Sequence, residues 1–144
     1  SLVLGSINLV GKVMGIVTIQ VSENLSRIMT GEMLGIEPDE IEDIDEIKDV
    51  IGEVLNMIAG NLKSSLCDCG LTCNLSTPAL TTGKDYRLET REMTRNDYFT
   101  FYYQDHTILV HVGLKSHDAD PVQEKQSAEN GNKNCHIIFA LFLV

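Results

Sequence analysis

The chain has 144 residues, 43% of them hydrophobic, with 21 acidic against 11 basic side chains and a formal charge of −10. That length suits one domain able to bury about two thirds of the surface its unfolded form exposes, and the negative charge argues against nucleic acid, whose phosphates are held by clustered Lys and Arg. No apolar run approaches the roughly eighteen residues of a membrane span, and the start lacks the charged n-region and cleavage site of a signal peptide, so the expectation is a cytoplasmic protein without membrane contact.

Leu2–Val10 and Lys12–Val21 are rich in Val, Ile and Leu and read as two strands joined by a tight turn at Gly11. The alternation Val13, Gly15, Val17, Ile19, Val21 turns one side of the second strand toward a core. Ser22 is placed to N-cap the stretch ENLSRIMTGEML, in which Leu25, Ile28, Met29 and Met33 keep helical spacing, and Gly35 offers the stop. The acidic connector Ile36–Glu46 follows, where Pro38 breaks the preceding helix and Asp39 is able to cap whatever comes next. Its charges suit a solvated face at the positive end of a helix dipole, or the steering of a partner with basic groups, which acts on association rate and fades with salt.

The main helix is predicted over Asp49–Leu66. Beyond it, Leu71–Leu75 reads as a short strand that Pro78 ends or marks as an edge, Thr82–Asp85 as a turn, and Tyr86–Glu92 as a further strand. Tyr98–Gln104 and Thr107–Leu114 alternate strongly about a turn at Asp105 and His106, the clearest hairpin in the sequence. From Ser116 the composition turns polar, and the chain closes with the apolar run Cys135–Val144, an aggregation hazard where it hangs free.

Few of the usual chemical signatures are present. Cys67, Cys69 and Cys73 crowd together far from Cys135 and form no convincing disulfide framework. Thiolates favour zinc, but these three lack an obvious fourth ligand, so they read as thiols and no metal site is assigned. His106 falls at the hairpin turn and His111 in mid-strand, positions that suit packed or half-exposed side chains rather than bases. No Ser or Cys nucleophile stands in a recognisable setting with them, and no Gly-rich phosphate loop, HExxH or GxSxG occurs.

The segment DVIGEVLNMIAGNLKSSL, Asp49 to Leu66, is the informative one. At about 100° per residue, Ile51, Val54, Leu55, Ile58, Leu62 and Leu66 form one apolar stripe. Asp49, Glu53, Asn56, Gly60 and Lys63 recur at spacings of four, three, four and three and form a column on the opposite side. Solvated faces favour strong helix formers, yet Asn56, Gly60 and Asn61 crowd two turns here. Either the face tolerates poor formers, or a partner approaches closely, with Gly60 making room and Glu53 and Asn56 touching it. Periodicity does not choose between these.

Asp49, Glu53, Asn56 and Pro78 also stand at the spacings of the phosphatase motif of the CheC, CheX and FliY family of bacterial chemotaxis proteins. That motif is Asp or Ser, three residues, Glu, two residues, Asn, and a Pro a little over twenty residues on; the run NMIAGNLKSSL continues as in the CheX branch. The chain resembles that family from about Leu2 to Lys115, and its one copy of ExxN resembles CheX more than CheC. The resemblance implies a CheX-like α+β fold, an antiparallel β-sheet built from hairpins with two main helices packed on it. It would occupy 1–115, followed by a polar flexible segment, 116–134, and an apolar tail, 135–144. The family often begins with a helix that precedes the first strand and is missing here, and normally ends near the last hairpin strand. The tail either fills the vacated surface or is a foreign end.

The activity implied by the resemblance is removal of the phosphoryl group from the aspartyl phosphate of a CheY-type response regulator, which ends the chemotaxis signal. Asn56 would position the attacking water and Glu53 would pair with the regulator's active-site lysine. Asp49, Gly60 and Lys63 would face the partner, and Pro78 would shape the neighbouring loop. The protein would need no cofactor of its own, Mg2+ coming with the regulator. It would form a homodimer through the hairpin edge near Tyr98–Leu114 and meet a CheD-like protein. The alternative is a non-catalytic docking module for a response regulator, a CheD-type deamidase or a flagellar switch component.

Overall fold

Alternation along the first two strands builds the centre of the sheet. β1 (Leu2–Gly11) and β2 (Val13–Ser22) pair antiparallel, from Leu2 opposite Ser22 to Leu9 opposite Gly15. Val3, Ile7, Leu9, Val13, Val17, Ile19 and Val21 are buried on one face, as a period of two requires. The structure is a computed structural model that describes residues 1–86 and 93–116.

Around that hairpin the chain adds α1 (Glu23–Leu34), a 3-10 turn (Pro38–Glu40), α2 (Ile44–Asp68), β3 (Cys73–Leu75), β4 (Ala79–Gly83), β5 (Arg95–Tyr103) and β6 (His106–Ser116). The described strands form one six-stranded antiparallel sheet in the order β3–β1–β2–β6–β5, with β4 also paired to β1. The expected α+β architecture of hairpins with two main helices is therefore present. α2 lies on β1 and touches β2, β3 and β4, while α1 packs on α2 and β2.

Both caps expected of α1 are formed. Ser22 Oγ accepts from the Leu25 amide at 3.2 Å, and Gly35 closes the helix at φ 71°, a conformation that costs glycine little. α2 is longer than Asp49–Leu66, and its cap is Asp43 instead of Asp39, Oδ1 accepting from the Asp45 amide at 2.9 Å. The acidic connector thus ends inside the helix, because Ile44 and Ile47 continue the inward stripe while Asp45 and Glu46 suit the positive end of the dipole. Asp39 instead lies in the 3-10 turn, which Glu37 and Glu40 close with a reciprocal capping box.

Three further boundaries differ from expectation. The strand after α2 begins at Cys73, not Leu71, and β4 runs through Thr82 and Gly83, leaving only Lys84 and Asp85 of the expected turn as bends. Thr82 and Gly83 extend because they pair with Val3 and Leu2 of β1, a tertiary pairing that overrides local turn preference. The last hairpin turns at Gln104 and Asp105, with Gln104 at φ 50° and His106 already paired to Tyr103. The strand expected over Tyr86–Glu92 lies, apart from Tyr86, outside the described residues. So do the polar segment and the apolar tail, apart from Ser116, which ends β6 opposite Val13.

On the sheet face away from the helices, His111 is only 8% exposed. Its ring stacks on Tyr98 with centroids 4.6 Å apart, and Nε2 lies 2.9 Å from Asn96 Oδ1. Burial holds its pKa below the ordinary 6.5, opposed by the nearby Asp97 carboxylate. The folded state therefore favours the neutral ring, and the stabilisation is complete above pH 6.5 and is lost as pH falls toward the folded value. Thermal melts between pH 7.5 and 5 should show wild type losing stability on acidification, and His111→Gln should flatten that loss. Parallel curves would contradict the assignment. Leu55, fully buried beneath α2, should cost about 2–5 kcal/mol on substitution by Ala, read by urea unfolding.

Candidate functional site

The inward stripe of α2 decides what its other side presents. Ile47, Val50, Ile51, Leu55, Ala59, Leu62 and Leu66 are buried, and Val54 and Ile58 are half-buried against the core. With rotation fixed by that packing, Asp49, Glu53 and Asn56 point outward and are exposed, followed along the same column by half-buried Gly60 and Lys63. The structure thus brings the five expected face residues together on one helix.

Pro78 joins them from the sheet. β3 and β4 pair successively with β1, and the break between them spans Ser76–Pro78. Ser76 pins that break to β1: its amide donates to the Asn8 carbonyl at 2.9 Å, and the Asn8 amide donates to Ser76 Oγ at 3.0 Å. Pro78 supplies no amide, which suits an interruption at a sheet edge. A methyl group at Gly52 would lie 3.3 Å from Leu80 Cδ2 and 3.8 Å from Pro78 Cβ, so Pro78 rests against α2 beside the residue that precedes Glu53. Gly52 and Ser76 escaped the sequence reading because their roles depend on which strand passes the helix.

Among the described residues, the side chains of Asp49, Glu53 and Asn56 make no internal ion pair or hydrogen bond, whereas Asp45 is engaged by Lys48 Nζ at 3.1 Å. An exposed carboxylate and an exposed amide on adjacent turns are free to engage another molecule. The carboxylate accepts from a cation, and the amide both donates and accepts. Lys63 lies toward the far end of the column, where its charge favours the Cys73 thiolate. Burial, and next the nearby Cys67, push the Cys73 thiol up against that pull. Among the described residues no group of three or more His, Cys, Asp or Glu is arranged to hold a metal ion, and no helix is long and apolar enough to cross a membrane.

Gly60 is not required by the chain's own packing. A side-chain carbon there would meet nothing within 4 Å, and glycine inside a helix costs about 1 kcal/mol relative to Ala. Gly60→Ala should therefore raise stability by about that amount, seen as a higher urea midpoint at unchanged m value. A loss of stability would show that Gly60 serves the fold.

Comparison with known proteins gives the site a context. The family described as Chemotaxis phosphatase CheX matches residues 3–103. No curated protein matches. Among solved structures, the chain is similar to the chemotaxis protein CheX from Vibrio vulnificus, with 26% identity and a TM-score of 0.69 over 78% of this chain and 75% of that one. It is also similar to a CheC-like superfamily protein from Shewanella sp. PV-4, with 27% identity and a TM-score of 0.70 over 79% and 73%. The CheX–CheY–BeF3–Mg2+ complex from Borrelia burgdorferi shares the fold, with 23% identity and a TM-score of 0.67 over 79% and 76%.

Proposed function

The chain belongs to the CheX family of chemotaxis phosphatases, and we propose that it hydrolyses the aspartyl phosphate of a CheY-type response regulator, with the outward face of α2 as its working surface. The observation that carries this reading is the exposed pair Glu53 and Asn56, a turn apart and free of internal partners among the described residues, on a helix whose rotation the core fixes. The Borrelia burgdorferi protein of the same fold was solved with CheY, BeF3 and Mg2+, which favours a CheY-type partner and a Mg2+ that travels with it.

Phosphoryl transfer passes through a loose transition state, and catalysis rests on positioning and charge stabilisation. An acyl phosphate on a regulator already has its metal and basic groups; what this chain adds is order in the attacking water. Asn56 enters beside the phosphoryl group, accepts a hydrogen bond from that water with Oδ1 and directs its lone pair at phosphorus. The bond from phosphorus to the acyl oxygen breaks, leaving the regulator's aspartate and inorganic phosphate. Glu53 accepts from the regulator's active-site lysine and orients the docked helix. Asp49 borders this contact, Gly60 lets the two backbones approach, and Pro78 holds the loop beside Glu53 in place.

Two further partners belong to this reading. β5 is the outer described strand on its side of the sheet, and Tyr98 and Tyr102 on it are 73% and 78% exposed. The open backbone edge of β5, with these aromatic side chains beside it on the outer sheet face, suits pairing with a second copy. A CheD-like protein remains a partner by family likeness only.

Phosphate release from a phosphorylated CheY-type regulator with Mg2+ should accelerate on adding wild type. Asn56→Ala should lower kcat by about 10²-fold or more with binding nearly kept, and Glu53→Ala should weaken binding by about ten-fold or more. Gly60→Ala, stabilised as a fold, should also bind more weakly. No acceleration by folded wild type that still binds the regulator would replace the phosphatase by the non-catalytic docking module, and acceleration kept in Asn56→Ala would take the chemistry away from Asn56.

A further inference from the structure

Among the described residues, Met57 is the one large apolar side chain of α2 that stands exposed, at 59%. It lies four residues after Glu53 and three before Gly60, beside Asn56, and so borders the same outward face. The fold has no use for it there, since the stripe from Ile47 to Leu66 fills the core without it.

The face also has a direction. Before Asn56, the exposed residues are Asp45, Glu46, Asp49 and Glu53; after it come Met57, Asn61, Ser64 and, in the last turn, Asp68, with half-buried Lys63 among them and open space over Gly60. One half carries four carboxylates against one cation, Lys48, and the other a single exposed apolar side chain with one cation, Lys63, and one carboxylate, Asp68, whose charges offset.

We infer that Met57 is the docking anchor of this face, packing into an apolar recess beside the partner's acyl phosphate while a basic surface of the partner meets the acidic half, so that the two together fix the direction in which α2 lies across it. This rests on the reading of α2 as the regulator-docking helix and adds the partner's footprint to it. A thioether on an unbranched stem adapts to the recess it meets, and an apolar anchor surrounded by polar contacts is the usual layout of a binding hot spot. A contact made equally before and during the chemistry acts on KM and leaves kcat alone. The acidic half acts chiefly on association rate and is screened by salt, whereas the Met57 contact is not.

The test uses the full chain and a CheY-type receiver domain activated with beryllofluoride and Mg2+, titrated at low and high salt, with turnover of the phosphorylated receiver measured alongside. Met57→Ala should bind about ten-fold more weakly at both salt concentrations, raise KM in proportion and keep kcat within about two-fold. Its melting temperature should match wild type, as the side chain is exposed. Glu46→Gln should slow association at low salt and equal wild type at high salt. If Met57→Ala binds as wild type does while Asn56→Ala still loses turnover, the anchor is overturned and the phosphatase reading stands. A Glu46→Gln association rate equal to wild type at low salt would overturn the assigned direction. A folded wild type that binds no receiver at all overturns the docking face itself, and the anchor with it.

Discussion

The seating of α2 on the β1–β2 hairpin is the constraint from which the rest follows. Ile51 and Leu55 are completely buried on one side of the helix, and Val3, Ile7, Val17 and Ile19 meet them from the sheet with at most 1% exposure. Rotating α2 by one residue, about 100°, would withdraw those side chains from the core and turn Asn56 and Lys63 toward it in one sense, or Glu46 and Asn61 in the other. Burying an unpaired charge costs several kcal/mol, so packing holds the outward column in place. The outward face is thus positioned by the hydrophobic core rather than by contacts of its own.

This division explains why the face carries residues that stability would not select. Asn56 and Gly60 are weak helix formers, tolerated because the inward stripe supplies the stability that the outward face gives up. Ser76 has a comparable role in the sheet. By pinning the break between β3 and β4 to Asn8, it lets Pro78 lean on α2 without an amide of its own. Helix and loop are thus packed together, which suits the proposed mechanism, whose gain would lie in placing a water molecule accurately.

Much of this was legible in the sequence, wherever the signal was periodic or local. The stripe of α2, the Ser22 and Gly35 caps of α1, and both hairpins follow from apolar spacing and turn chemistry. The start of α2 was obscured because Ile44 and Ile47 sit among acidic residues that resemble a connector, and because Asp39 and Asp43 are equally able to cap by type. β4 could not be read locally. Thr82 and Gly83 resemble a turn, and they extend only because β1 offers an edge opposite Leu2 and Val3. The spacing of Asp49, Glu53 and Asn56 puts the proposed site on one helix face, while the approach of Pro78 to Gly52 and the exposure of Met57 depend on tertiary placement that no window of sequence contains.

The most direct measurement of the central claim is a map of backbone amide shifts on adding a beryllofluoride-activated CheY-type receiver domain to the labelled protein. The account predicts perturbations concentrated at Asp49, Glu53, Asn56, Met57 and Gly60, extending to the Ser76–Pro78 break and fading toward β5. Perturbations centred on the β5–β6 hairpin with α2 unmoved would contradict it, placing the regulator elsewhere on the fold and leaving Asn56 without a reaction to serve.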